Sequence, residues 1–122
     1  MSKQILIVDD SPVVLAMLED ALSGMGYAVT AAANGQAGLK QIEAGKFDLI
    51  ITDLSMPVMD GIAFVKAAKQ LANCKFVPIV FLSSEEDAAK IAEARQAGAS
   101  TFLRKPFKEN QLRTILQVVL GA

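Results

Sequence analysis

The 122-residue chain contains no histidine. Ser-His-Asp and Cys-His catalysis are thereby excluded, together with His-ligated metal centres. Its single cysteine, Cys74, has no partner for an intrachain disulfide, and one thiolate cannot build a zinc or iron–sulfur cluster. Such sparing use of cysteine fits a reducing, cytoplasmic setting. Long apolar runs are missing as well. The first, Ile5 to Val8, is stopped by Asp9 and Asp10, far short of a signal-peptide core or a membrane span, and no later stretch reaches that length. An excess of either charge is also lacking, since 12 basic and 13 acidic residues give a net −1. That balance offers no electrostatic reason to expect a nucleic-acid or membrane-surface partner.

What is present is enough apolar material for one core. Hydrophobic residues make up 52% and charged residues 20%, so residues 1–122 are expected to form a single domain. Short runs at Ile5–Val8, Leu49–Thr52 and Pro78–Ser83 are apolar without alternation, the pattern of strands buried on both faces. Weaker strands read at Ala28–Ala32 and Thr101–Arg104 and are expected at or near the sheet edges. Helical spacing separates them. Val14, Met17, Leu18, Ala21, Leu22 and Met25 form one stripe, opened by Ser11-Pro12 and closed by Gly24 and Gly26. Further helices read at about 36–44, 62–71, 86–97 and 108–120, with turns at Asn34-Gly35 and Asp60-Gly61. Strict β–α alternation predicts an α/β fold: a five-stranded parallel sheet, doubly wound as (βα)5, with right-handed crossovers.

Ligands of such sheets sit beyond the carboxyl ends of the strands. There the chain places Asp9 and Asp10, then Asp53, then Ser83 and Ser84, then Lys105. Each has an ordinary reading when taken alone. Asp9-Asp10 would suit a solvated loop, Ser83-Ser84 a cap for the helix at Glu86, and Lys105-Pro106 a surface turn. Asp60 belongs to a turn before a helix, and Met56 and Met59 to loop packing. Together they suit one chemistry. Three carboxylates about 5 Å apart repel by about 3 kcal/mol per pair at an effective dielectric of 20. A compensating cation is therefore expected, and oxygen ligands without His or Cys select Mg²⁺ or Mn²⁺. Asp9, Asp10 and Asp53 against Mg²⁺ and Lys105 make a neutral site that can take a phosphoryl dianion. An ionised Asp attacking phosphorus gives an acyl phosphate and needs no general base.

Four segments then resemble a known family. DDSP at 9–12, DLSMPVMDG at 53–61, SSE at 83–85 and KPF at 105–107 are similar, in this order and spacing, to the receiver domains of two-component response regulators of the single-domain chemotaxis type. The resemblance implies the flavodoxin-like strand order 2-1-3-4-5. It implies Asp53 as phosphoacceptor, with Asp10 and Asp53 binding Mg²⁺ directly, Asp9 nearby or through water, and the Ser55 carbonyl as a further ligand. Ser83 would be the switch hydroxyl, Lys105 the partner of the phosphoryl group or of unmodified Asp53, and Phe102 the switch aromatic. Ser83 stands where Thr is more usual and Phe102 where Tyr is frequent. Ser55 and Glu85 occupy positions that tune dephosphorylation in the family.

The implied partners are a sensor histidine kinase or phosphotransfer protein and a downstream target protein. The target would read the helix from Glu86, strand 101–104 and the last helix, which carry Lys90, Arg95, Arg104, Lys108 and Arg113. Lacking an output domain, the chain is expected to act through protein contacts rather than on DNA, as a monomer or a phosphorylation-dependent dimer. It would catalyse its own phosphorylation and dephosphorylation only. Two other readings compete with this one. A Mg²⁺-dependent aspartate phosphatase usually carries a second acid two residues after the nucleophile, where this chain has Ser55. A non-phosphorylated interaction module usually loses one acidic or lysine position, and none is lost here. A dinucleotide-binding fold is weaker still, because Gly24-Met25-Gly26 follows a helix and lacks the third glycine.

Overall fold

Both faces of the central strands are covered by helices, which is why their sequences are apolar at successive positions rather than alternate ones. The computed structural model describes residues 3–54, 59–84 and 88–121. Along the chain run β1 (Gln4–Val8), α1 (Pro12–Gly24), β2 (Ala28–Ala32), α2 (Gly35–Ala44), β3 (Leu49–Asp53), α3 (Gly61–Ala68), β4 (Ile79–Ser83), α4 (Ala88–Ala97), β5 (Thr101–Arg104) and α5 (Glu109–Leu120). The sheet is parallel throughout, in the order β2-β1-β3-β4-β5. The two weaker strands of the sequence, β2 and β5, are its edges.

Alternate side chains of each inner strand feed two separate cores. Ile5, Ile7, Leu49, Ile51, Val80 and Leu82 pack with Leu18 and Leu22 of α1 and Leu112 and Leu116 of α5. Leu6, Val8, Ile50, Ile79 and Phe81 pack with Ile42 of α2, Ile62, Phe64 and Val65 of α3 and Ala94 of α4. Every one of these side chains is buried. Each full burial of such a side chain stabilises by about 1.5–3 kcal/mol, so the sheet is a stiff platform for whatever its carboxyl edge holds.

Helix starts follow the capping signals. The Ser11 hydroxyl accepts from the Val14 N–H, with Pro12 in the first turn. Asn34 caps α2 through Ala37, and Asp60 caps α3 by accepting from the Ala63 N–H at 2.8 Å. Asp60 is thus a cap, as the turn reading expects. Two expectations are corrected. Met17, placed in the buried stripe of α1, is 48% exposed; the helix turns Leu15 toward the core instead. The third helix stops at Ala68 rather than about Leu71. There the Lys69 ammonium donates to the Val77 and Lys75 carbonyls and draws the chain into turns.

One glycine sets how close α3 comes to the functional edge. A Cβ on Gly61 would overlap the Asp53 carbonyl oxygen and approach Leu54 Cα to 2.9 Å. The Gly61 N–H also donates to the Leu54 carbonyl at 2.9 Å. Neither obstacle is a flexible side-chain end, so backbone must move to admit a methyl group. Gly61→Ala is therefore expected to destabilise the fold by about 2 kcal/mol, read as a lowered midpoint in urea denaturation. An unchanged midpoint would show that α3 can shift freely from the end of β3.

Candidate functional site

Four of the five strands, β1, β3, β4 and β5, deliver parts of a shared cluster as they leave the sheet. Asp9 follows β1 directly and is fully buried. Its N–H prolongs the ladder by donating to the Ala32 carbonyl, and its Oδ1 accepts from the Ser11 N–H at 2.9 Å. Asp10 lies at the exposed rim. Asp53 ends β3 and is only 7% exposed. Carboxylate oxygens of these three residues lie within 4.8 Å of one another. Ser83 ends β4, one step beyond the partner of Asp53, and is 8% exposed.

Lys105 comes from the opposite side. Its N–H donates to the Ser83 carbonyl, and the Lys105–Pro106 peptide bond is cis. The ammonium stands 3.0 Å from Asp9 Oδ2 and 3.4 Å from Asp53 Oδ2. The family resemblance pairs this lysine with unmodified Asp53; the structure adds Asp9 as the nearer contact. Burial alone would lower the lysine's pKa, but the contact with Asp9 and the charges of Asp53 and Asp9 outweigh it, and the net shift is upward. Three carboxylates and one ammonium still leave a net −2 in the cluster. Asp9 Oδ2 is buried, and the Lys105 ammonium is its contact. An all-oxygen donor set with residual negative charge fits a hard divalent cation.

Phe102 is half-buried at the β5 edge and stacks on Phe81 of β4, with ring centroids 5.8 Å apart. The Arg95 guanidinium of α4 lies over the same ring at 4.9 Å. A hollow of about 190 Å³ separates Ser83 from this aromatic and is lined also by Ile91, Leu103 and Arg104. Phe81 and Arg95 had no sequence signal linking them to Phe102; the β4–β5 register, which pairs residues 81 and 102, brings the first, and the packing of α4 brings the second. Ser55, Met56, Glu85 and the helix start expected at Glu86 lie outside the described residues. Met59 packs against the glycine face at Gly35. Cys74 is buried, and burial pushes its thiol pKa up against the opposing pull of Lys69, so no reactive thiolate is presented.

An open parallel sheet in the order 2-1-3-4-5, with an acidic cluster over its carboxyl edge, defines a doubly wound, flavodoxin-like α/β protein. The chain belongs to the response regulator receiver family, whose receiver-domain profile matches residues 5–117. It is 35% identical to a probable chemotaxis protein CheY of Rhizobium etli, over 98% of this chain and 93% of that protein. Among solved structures it resembles chemotaxis protein CheY4 of Vibrio cholerae, with a TM-score of 0.94, 39% identity, and coverage of 98% of this chain and 99% of that one. It also resembles the receiver domain of a sensor histidine kinase from Pseudomonas aeruginosa, with a TM-score of 0.92, 33% identity and full coverage of both; that structure holds a magnesium ion in its active-site cleft. The chain is therefore a response regulator receiver of two-component signalling, similar to chemotaxis CheY proteins. No helix among the described residues is long and apolar enough to cross a membrane.

The raised pKa of Lys105 has a signed consequence for the metal-free protein. The folded state holds this proton more tightly than the unfolded chain, so the stabilisation is complete below the ordinary value of 10.5 and is lost as pH rises through the folded value. Lys105→Met should be less stable than wild type at neutral pH, with the gap closing above that value. Urea titrations across the alkaline range check this, and a gap that widened there would contradict the assignment.

Proposed function

We propose that this receiver accepts a phosphoryl group on Asp53 from the phosphohistidine of a sensor kinase or phosphotransfer protein. The observation that carries the reading is the approach of Asp9, Asp10 and Asp53 oxygens within 4.8 Å, with Lys105 bound to two of them. Asp10 and Asp53 would hold Mg²⁺ directly, Asp9 nearby or through water, and the Ser55 carbonyl would complete the protein ligands; Mn²⁺ has the same ligand preference. When bound, the ion neutralises carboxylate charge and shields the incoming phosphoryl oxygens. An Asp53 oxygen attacks phosphorus, an O–P bond forms as the donor P–N bond breaks, and the imidazole leaves with the bonding pair. Lys105 turns its ammonium to a phosphoryl oxygen, and the Ser83 hydroxyl donates to another.

Output follows from the movement of Ser83. Its shift toward the phosphoryl group opens the hollow behind it, into which Phe102 turns. Moving a two-state population from 1:99 to 99:1 takes about 5.5 kcal/mol, within reach of several charge-assisted hydrogen bonds. The altered surface is α4, β5 and α5, offered to a target protein rather than to DNA. The domain spans residues 1–122, works in the cytoplasm as a monomer or a phosphorylation-dependent dimer, and catalyses only its own phosphorylation and dephosphorylation.

Intact mass after incubation with acetyl phosphate tests this. One phosphoryl group should appear in the presence of Mg²⁺, vanish with chelator, and be absent from Asp53→Asn. Undiminished labelling of that variant, or none in wild type trapped cold, would reject the phosphoacceptor.

A further inference from the structure

Four polar residues are buried among the described residues: Asp9, Thr52, Asp53 and Ser83. Three of them belong to the cluster. Thr52 does not, and it is completely buried. It occupies the face of β3 opposite Asp53, in register with Val8 on one side and Phe81 on the other. Valine would fill that place with nearly the same shape and no polar atom. A hydroxyl kept in an apolar core is costly unless bonded, and the Thr52 Oγ1 donates to the Asp53 carbonyl oxygen at 3.1 Å.

That carbonyl is also the atom against which Gly61 packs, and the next one, of Leu54, accepts the Gly61 N–H. The Asp53–Leu54 peptide is thus held by a hydroxyl from inside the sheet and by the first turn of α3 from above. We infer that Thr52 is a positioning residue: its hydroxyl fixes the peptide that follows the phosphoacceptor, and with it the direction in which Leu54 leaves β3 at the edge that holds the acidic cluster. The inference rests on Asp53 being the phosphoacceptor. The Thr52 side chain lies on the face of β3 away from the Asp53 carboxylate and acts through the backbone alone.

Thr52→Val removes the hydroxyl while keeping the shape, and Thr52→Ser keeps the hydroxyl while removing a methyl group. Both are compared with wild type by urea denaturation, by Mg²⁺ titration calorimetry, and by intact-mass time courses with acetyl phosphate. Loss of one buried hydrogen bond predicts that Thr52→Val, still folded, phosphorylates about fivefold more slowly and binds Mg²⁺ more weakly by a similar factor. Thr52→Ser should stay within about twofold of wild type on both counts, although its lost methyl makes it the less stable variant. Wild-type rate and Mg²⁺ affinity in Thr52→Val overturn the inference, whatever happens to its stability. So does a folded Thr52→Ser that falls as far as Thr52→Val. In both cases wild type is still labelled and the phosphoacceptor stands; an unlabelled wild type instead removes the phosphoacceptor and this inference with it.

Discussion

Three carboxylates held within 4.8 Å of one another are the constraint on which the rest of this molecule turns. Their mutual repulsion opposes folding, and the protein offsets it only in part, with one lysine that leans on Asp9 and Asp53 together. The residual charge is what makes the edge receptive to a cation. It also explains why so rigid a support is needed. Like charges would separate if the chain could yield, and β1 and β3, buried on both faces and paired along their length, cannot.

Rigidity beneath the cluster contrasts with adjustability beside it. Ser83 and Phe102 line one hollow, and Phe102 touches a stacked aromatic and a guanidinium. A cation over a half-buried ring contributes on the order of 1 kcal/mol, small against the few kcal/mol that a phosphoryl group could redistribute. The arrangement is thus firm where charge is gathered and lightly held where a change of charge would be transmitted.

Thr52 shows how far support for such a site can reach into the core. Its side chain faces away from the acidic cluster, yet it bonds the carbonyl of the central aspartate. Gly61 meets the same peptide from the helix that follows. The end of β3 is therefore defined by backbone contacts that no list of charged residues would include.

The strands, their edge order and the convergence of Asp9, Asp10, Asp53, Ser83 and Lys105 were legible in the chain itself. Apolar runs without alternation report two covered faces, and in a parallel sheet all strand ends fall on one edge. Local chemistry also announced the cap at Ser11 and the turn at Asp60. Other features depended on residues distant in sequence. That Lys105 rests nearer Asp9 than Asp53 is decided by where the chain beyond β5 carries its ammonium over the strand ends. The exposure of Met17 and the early end of α3 were decided by helix rotation and by carbonyls that capture Lys69. The grip of Phe81 and Arg95 on Phe102, and of Thr52 and Gly61 on one peptide, arise only when neighbouring elements pack. Periodicity and strand ends are local properties that a sequence encodes directly, whereas a side chain's choice among nearby partners is an energy difference between tertiary contacts.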